Sequence, residues 1–428
     1  HPIRTQNEQG MMWCTMMALA SRDTGKSEYL QSTDPILNWL LPLVSTTGEY
    51  LDPSGLDLLR SARFIRSLFL YRFYSEKSDL EAELVRCLQW YVRLFSTRGV
   101  PLLGIQERYG QCYQSLFAQL LGPLTYYANR DGSFSQRTSR FMEILMDLPA
   151  GYTLESGGTP FLLGSVYHVI PDHLSPIPYT PYFQIYGDTA SLYAVVGNNY
   201  QTAIMLNDPN NPKGMQVWSY RDQSPLIYPV PPRYTKTVGF GYDSCTINAR
   251  SVNPTLPYKV DSIDDRVKIL FLPSDMNATA YVFSQDTTVV IHRQPFNDAT
   301  LEWIQDNRIC MPFNKLSGSI LEFAGSQSSL LFPSDSIPNF EDFEWGRRLR
   351  LHFKSEFCWY SLVGPDSKPI IQPVNENLIF VHLEEAHQTV NLLLNVSDQP
   401  FTGRINFPKT KIPVPEVQPW SVKWIQSK

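Results

Sequence analysis

The sequence has no long apolar run and no basic block, and each absence argues against a class of protein. No stretch approaches the roughly 20 apolar residues that a membrane-spanning helix needs. The 41 acidic and 36 basic residues are mixed along the chain, without a run of positive charge that would neutralise phosphates. We therefore predict neither a membrane span nor nucleic-acid binding.

Cysteine clusters and the common catalytic motifs are also absent. The six cysteines are widely separated and form no CxxC pair or Cys/His cluster, which argues against a zinc site. Their spacing permits disulfides without requiring them. There is no GxSxG elbow, Walker loop, dinucleotide fingerprint or HExxH motif. We predict no metal or other cofactor, and these absences argue against the common hydrolase, nucleotide-dependent and metalloprotease chemistries.

One segment resembles a metal cluster in composition only. It contains His382, Glu384, Glu385 and His387. The two histidines are five residues apart, a spacing that places them neither on one helical face nor on one face of a strand. We therefore predict a solvated turn in this segment.

The composition that remains is typical of a folded, multidomain chain. Of its 428 residues, 43% are hydrophobic and 18% are charged, which is enough for two or three domains with cores of their own. Aromatic residues reach 13%, and there are 33 prolines. Large extracellular and viral β proteins share this profile. Carbohydrate enzymes share it too, because sugar subsites stack pyranose faces on aromatic rings.

The N-terminal third has a helical pattern. Ser78 and Glu81 form a capping box, and apolar residues then recur at helical spacing. The periodicity predicts about six helices in antiparallel hairpins, at residues 11–21, 35–44, 54–74, 78–95, 107–127 and 136–148. The third helix carries Arg60, Arg63 and Arg66, which form either a stripe that binds anionic glycans or a solvated, salt-bridged face.

From residue 151 onward the pattern changes to short β-branched and aromatic runs separated by turn residues. Residues 191–196 and 200–206 are joined through Gly197, Asn198 and Asn199, which predicts a hairpin. The fold class is therefore α+β and multidomain, with helical hairpins followed by antiparallel β-sandwiches. We predict a helical domain at 1–152, a large sandwich at 153–330 and a smaller one at 331–428.

The segment at 129–138 contains Asp-Gly-Ser-Phe at residues 131–134. It resembles the corresponding segment of polysaccharide lyases of the hyaluronate and chondroitin type. The order of a helical domain followed by a sandwich is similar to that family as well. The resemblance implies that the helices are part of an α/α toroid. Six helices are too few to close a toroid, and the chain begins at His1 rather than Met, so we expect processing or a preceding helical part.

The resemblance also implies a chemistry. Such lyases neutralise the carboxylate of a uronate, which lets a tyrosine or histidine take the C5 proton and protonate the departing glycosidic oxygen. In this chain Arg137 stands where the family's motif has its histidine, so the resemblance implies that any activity is altered or lost. The expected partner is acidic polysaccharide.

Candidate site residues follow from the resemblance and from neighbouring residues. An arginine and a tyrosine before the motif are suited to bind a uronate and act as an acid. Residues 174–181 form a proline-rich connection between the predicted domains, and a histidine beside it is suited to act as a base. The catalytic candidates are Tyr109, Arg108 and His168. The substrate-binding candidates are Arg137, Asn129, Tyr126, Trp90 and His173.

A second class of function remains open from the sequence. The aromatic-rich β pattern also fits a structural or assembly protein, such as a viral coat or envelope component. Two glycosylation sequons, at Asn277 and Asn395, fit a secretory route. We therefore expect an extracellular or virion-associated protein, as a homo-oligomer or with assembly partners.

Overall fold

The computed structural model describes helices between residues 7 and 127 and strands between residues 193 and 425. The described residues are 7–50, 58–93, 120, 122–124, 126–127, 193–197, 199–205, 214–220, 226, 244–247, 250–252, 259–263, 266–273, 278–293, 299–306, 313–343, 346–407 and 410–425. Helices precede antiparallel sheets, so the predicted α+β order is confirmed.

The chain divides into two compact units. The first comprises His1–Thr180, Gly187–Leu192 and Asp208–Asn211, and it contains the described helices. The second comprises Pro181–Tyr186, Tyr193–Asn207 and Pro212–Lys428, and it contains the described strands. The domain boundaries at residues 152 and 330 stay predictions.

The helical unit contains five described α-helices and two short 3-10 turns at Leu41–Leu43 and Ser78–Leu80. The helices are α1 (Asn7–Thr24), α2 (Ser27–Gln31), α3 (Asp34–Leu40), α4 (Leu58–Ser75) and α5 (Glu81–Arg93). Residues 120, 122–124 and 126–127 are helical too. The predicted helix at 11–21 is confirmed, and so is the described part of the one at 54–74. The helix predicted at 35–44 is confirmed only as far as Leu40, because a 3-10 turn follows and Val44 is extended. The one predicted at 78–95 is an α-helix from Glu81 to Arg93. The five-residue α2 was not predicted, because one short turn carries too little periodicity.

Helix α5 shows how the apolar pattern places the core. Leu84, Cys87, Leu88 and Tyr91 recur on one face, and all four are fully buried, as predicted. The Tyr91 hydroxyl donates to the backbone carbonyl of Leu58 on α4 at 2.7 Å. The predicted capping box is wrong, because Ser78 begins a 3-10 turn that has no side-chain cap.

The second unit contains 22 described strands, all of them paired antiparallel. They are β1 (Tyr193–Gly197), β2 (Tyr200–Met205), β3 (Gly214–Tyr220), β4 (Ser244–Ile247), β5 (Arg250–Val252), β6 (Lys259–Ile263), β7 (Val267–Leu272), β8 (Ala278–Phe283), β9 (Thr287–Arg293), β10 (Ala299–Asp306), β11 (Phe313–Ser317), β12 (Ile320–Phe323), β13 (Ser329–Leu331), β14 (Ile337–Phe343), β15 (Gly346–Phe353), β16 (Phe357–Val363), β17 (Lys368–Pro373), β18 (Leu378–Glu385), β19 (Gln388–Asn395), β20 (Phe401–Phe407), β21 (Thr410–Val417) and β22 (Ser421–Trp424).

These strands form five sheets. Their orders are β1-β2-β3, β14-β15-β10-β4-β5, β11-β12-β13-β16-β9-β8-β7-β6, β17-β18-β19-β22 and β20-β21. The predicted hairpin is confirmed, since β1 pairs with β2 across the turn before Tyr200.

The eight-stranded and four-stranded sheets pack face to face as a sandwich. Alternate residues of β7, β8 and β9 form one side of its core, and alternate residues of β18 and β19 form the other. Representative pairs are Ile269 with Val282 from the first sheet and Val381 with Leu392 from the second, all fully buried. This single core takes strands from both sides of residue 330. The β20–β21 hairpin adds a second, smaller core on the outer face of the four-stranded sheet.

Asn395 lies at the end of β19 and serves the fold instead of carrying a glycan. It is fully buried, and its amide nitrogen donates to the carbonyls of Gln399 at 2.7 Å and Val417 at 3.1 Å. Its oxygen accepts from the hydroxyl of Ser397, the third residue of the sequon, at 2.7 Å. Glycosylation of this nitrogen is incompatible with the folded structure. The other sequon asparagine lies outside the described residues.

Candidate functional site

Most of the residues assigned to the site from the sequence lie outside the described structure. These are Arg108, Tyr109, Asn129, Arg137, His168 and His173, together with the Asp-Gly-Ser-Phe segment. Trp90 and Tyr126 are described. Both belong to the helical unit, and they have different surroundings.

Trp90 is part of the helical core. Its side chain is 1% exposed, and its ring lies edge-on to Tyr91 with centroids 6.0 Å apart. A sugar could stack on this indole only if the surrounding residues uncovered it. The structure therefore gives Trp90 a packing position, and its contact with substrate stays a prediction.

Tyr126 lies at a half-buried position where α4 meets the helical residues 120, 122–124 and 126–127. Arg72 contacts this side chain: its Nη1 donates to the Tyr126 hydroxyl oxygen at 3.2 Å, and its guanidinium carbon lies 5.8 Å from the ring centroid. The ring also contacts Phe69 edge-on at 5.4 Å and Tyr127 at 5.1 Å. These contacts fix both the ring and the hydroxyl.

Glu81, the first residue of α5, completes this cluster. Its carboxylate lies 2.7 Å from Arg72 Nε, with about a quarter of the arginine side chain and a third of the carboxylate side chain exposed (22% and 34%). Burial raises the pKa of the Tyr127 hydroxyl, and the adjacent Glu81 carboxylate raises it further. We call Arg72, Glu81, Tyr126 and Tyr127 the Arg72 cluster.

The guanidinium of Arg72 stays charged in this setting. Burial acts to lower the pKa of Arg72, but the hydrogen bond to Tyr126 and the Glu81 charge outweigh it, so the pKa is raised. A half-buried cation next to two phenol groups is suited to bind an anionic group and to orient a sugar ring.

Sequence reasoning named Tyr126 as a candidate but did not name Arg72 or Glu81, which contact it or its neighbour. Glu81 was interpreted as a capping residue, and Arg72 was not connected to the arginines that precede it on α4. A signal was present, because Arg72 continues the three-residue spacing of Arg60, Arg63 and Arg66.

The segment around His382 contains a turn, as predicted, but it is not solvated throughout. β18 ends at Glu385 and β19 begins at Gln388, so only two residues form the turn. Glu385 is 6% exposed and accepts hydrogen bonds from within the sandwich, which makes the prediction wrong for this residue. His382 Nδ1 lies 2.7 Å from the amide oxygen of Asn391 on the neighbouring strand.

The described residues contain neither a metal-binding cluster nor a membrane-spanning helix. Among them, no group of three or more His, Cys, Asp and Glu side chains is suited to hold a metal ion. No described helix is both long and apolar enough to cross a membrane.

Comparisons with known proteins identify the fold. No protein-family model and no curated protein sequence matches the chain. Solved structures do match it, and three of them are compared below. One is a heparinase III with methylated lysines. The matched region covers 89% of this chain and 64% of the heparinase chain, with a TM-score of 0.53 and 10% identity. A mutant of the heparan sulfate lyase HepC from Pedobacter heparinus covers 87% and 63%, with a TM-score of 0.52 and 9% identity.

The third structure is the chondroitin AC lyase of Streptomyces coelicolor A3 in complex with chondroitin sulphate. The matched region covers 92% of this chain and 69% of the chondroitin AC lyase chain, with a TM-score of 0.56 and 10% identity. This chain spans less than two thirds of the length of the first two structures. At such identities the likeness establishes the fold. The resemblance to polysaccharide lyases that the sequence predicted is confirmed at that level.

Proposed function

We propose that this protein binds acidic, uronate-containing polysaccharide and that its site is of the type that serves β-elimination. The observation that carries the proposal is the likeness in fold to three glycosaminoglycan lyases over 87–92% of the chain. The Arg72 cluster supports it, because it combines an anion-binding group with aromatic rings in the helical unit. The comparisons give no support to the alternative of an assembly protein.

In this proposal the Arg72 cluster binds the chain and other residues carry the proton transfer. β-Elimination breaks the bond between C4 and the glycosidic oxygen, forms a C4–C5 double bond, and moves the C5 proton to a base while the leaving oxygen is protonated. We assign the acid and base to Tyr109 and His168 and the neutralisation of the carboxylate to Arg108 and Arg137. Trp90, Asn129 and His173 remain candidates for further contacts, and an extracellular location remains part of the proposal.

Substitutions in the Arg72 cluster test the binding role. Arg72→Ala and Tyr126→Phe are each expected to weaken binding of chondroitin sulphate about tenfold, because a hydrogen bond to a charged group contributes about 1.5–3 kcal/mol. The measurement is the Kd from isothermal titration calorimetry. Arg86→Ala is the matched control, since Arg86 is an exposed arginine of the same unit whose ion pair is with Glu83. Equal Kd values for all four proteins would remove the cluster from the site.

The reaction is tested separately, by the ultraviolet absorbance of the unsaturated uronate that elimination produces. The native protein and Arg137→His are compared on chondroitin sulphate, heparan sulfate and hyaluronan. A rise with the native protein assigns proton transfer to residues other than the family's histidine. A rise with Arg137→His alone places the loss of activity at that position. If neither protein produces the chromophore, the function is binding without elimination.

A further inference from the structure

The guanidinium group of Arg72 is already engaged on both of the edges that bind anions. A guanidinium presents two edges, Nε with Nη2 and Nη1 with Nη2, and a carboxylate accepts hydrogen bonds from both nitrogens of one edge. In this structure Nε lies 2.7 Å from Oε2 of Glu81, and Nη1 donates to the Tyr126 hydroxyl at 3.2 Å. Each edge therefore has one nitrogen in contact with the protein. A ligand carboxylate can make a two-point contact with Arg72 only after one of these contacts is released.

Glu81 is the contact that is easier to release. The Tyr126 ring is held by edge-on contacts with Phe69 and Tyr127, whereas the Glu81 side chain is about one third exposed. Neither Oε2 of Glu81 nor Nε of Arg72 has a hydrogen-bond partner among the described residues, so charge attraction joins them without the alignment of a hydrogen bond. The Tyr127 hydroxyl also lies beside this carboxylate, but it is neutral. A partly exposed ion pair of this kind contributes little to stability.

The place of Glu81 in the helix lowers the cost of its release. Glu81 is the first residue of α5, and it lies with Glu83 in the first turn. The N-terminal end of a helix carries a partial positive charge that stabilises nearby carboxylates. A Glu81 side chain that turns away from Arg72 therefore keeps a favourable electrostatic environment at the start of α5, with water on its exposed side.

We propose that Glu81 is a specificity-determining residue of the Arg72 cluster, an internal anion that occupies Arg72 until the carboxylate of an acidic sugar displaces it. This inference rests on the proposed function, and it adds that binding exchanges one carboxylate for another on the same guanidinium. The exchange keeps the charge of Arg72 balanced in the free and in the bound protein. A neutral sugar carries no charge with which to displace Glu81, so the exchange favours acidic over neutral chains.

Glu81→Gln tests the exchange. Glutamine keeps the shape of the side chain without its charge, so the ligand no longer competes with an internal carboxylate for Arg72. We expect chondroitin sulphate to bind this variant about fivefold more tightly than the native protein, the upper end of what a partly exposed ion pair contributes. The measurement is the Kd from isothermal titration calorimetry. Glu83→Gln is the matched control, because Glu83 lies in the same turn and pairs with Arg86, and its Kd should change less than about twofold.

Two further variants separate the contact with Arg72 from the charge of Glu81. Glu81→Asp keeps the charge but shortens the side chain by one methylene, which draws the carboxylate away from Nε, so it should also bind chondroitin sulphate more tightly than the native protein. The double variant Arg72→Ala with Glu81→Gln should bind about tenfold more weakly than the native protein, like Arg72→Ala alone. If Glu81 acted only as a surface charge, the double variant would be only about twofold weaker.

A gain in affinity distinguishes the exchange from a structural role, because a loss of packing would weaken binding. A gain in either Glu81 variant that disappears once Arg72 is alanine supports the inference. If the native protein binds chondroitin sulphate and neither variant binds it more tightly than Glu83→Gln, or the gain persists without Arg72, the inference is wrong and the proposed function stands. If neither the native protein nor the Glu81 variants bind an acidic polysaccharide, both are wrong.

Discussion

Replacing Glu385 by alanine is expected to lower the free energy of unfolding of the β-rich unit by about 3–5 kcal/mol. Glu385 is 6% exposed, and its carboxylate accepts three hydrogen bonds. The donors are the Ser284 hydroxyl at 2.6 Å, the Gln388 amide at 2.7 Å and the backbone N–H of Asp286 at 3.0 Å. Each donor that loses its buried partner costs about 1–3 kcal/mol, and alanine also leaves a void.

The effect should be large because the same network joins three sheets. The carboxylate of Asp286 accepts from the amide of Asn199 at 2.6 Å and from the Tyr220 hydroxyl at 3.2 Å, which ties the three-stranded sheet to the sandwich. Trp218 donates to Thr288 at 3.1 Å on the same side. Removing Glu385 withdraws the acceptor that holds the Asp286 backbone in place.

The adjacent residue provides a matched control for this prediction. Glu384 has the same side chain, lies next along β18 and is exposed. Glu384→Ala is expected to change the free energy of unfolding by no more than about 0.5 kcal/mol. Urea denaturation of both variants measures the difference. Similar losses for the two glutamates would contradict the account of the buried network.

Gly48→Ala is expected to lower the free energy of unfolding of the helical unit by about 4 kcal/mol, because backbone strain and a clash with the backbone act together. Gly48 has a φ of +95°, a conformation that residues with a Cβ atom rarely adopt. A Cβ atom at this position would lie 2.3 Å from the carbonyl oxygen of Arg86 and 2.5 Å from its carbonyl carbon. Both atoms belong to the backbone of α5, so relief requires the helix to move.

Gly25→Ala separates the strain from the clash. Gly25 has a φ of +70°, but a Cβ atom there would meet no other atom within 4 Å. The free energy of unfolding of this variant should therefore fall only by the cost of holding alanine at a positive φ, about 1–2 kcal/mol. The comparison is made by the shift in urea midpoint of the two variants. A Gly48→Ala protein as stable as Gly25→Ala would show that the close approach to Arg86 is not rigid.

Local patterns in the sequence predicted the parts of the fold that depend on neighbours along the chain. The period of α5 placed Cys87 and Tyr91 in the core, and the turn before Tyr200 predicted the pairing of β1 with β2. In both cases the contacts join residues a few positions apart, so spacing alone carries the information.

The parts that the sequence did not predict depend on distant residues. Glu385 was expected in a solvated turn because of the spacing of His382 and His387, whereas its partner Ser284 lies 101 positions earlier in the chain. The pairing of β9 with β16 likewise joins strands separated by several others, and no turn signal specifies it. In the candidate site, Arg72 contacts Tyr126 across 54 positions, which explains why the sequence did not connect the arginine with the tyrosine.

Binding of the native protein to charged and neutral chains tests the central claim most directly. The measurement is the Kd for chondroitin sulphate, heparan sulfate and uncharged dextran, each at low and high salt. The account predicts binding of both acidic polysaccharides, weakening as salt rises because screening reduces the attraction between exposed charges, and no binding of dextran. Equal affinity for dextran and the acidic chains, or binding to none of them, would contradict it.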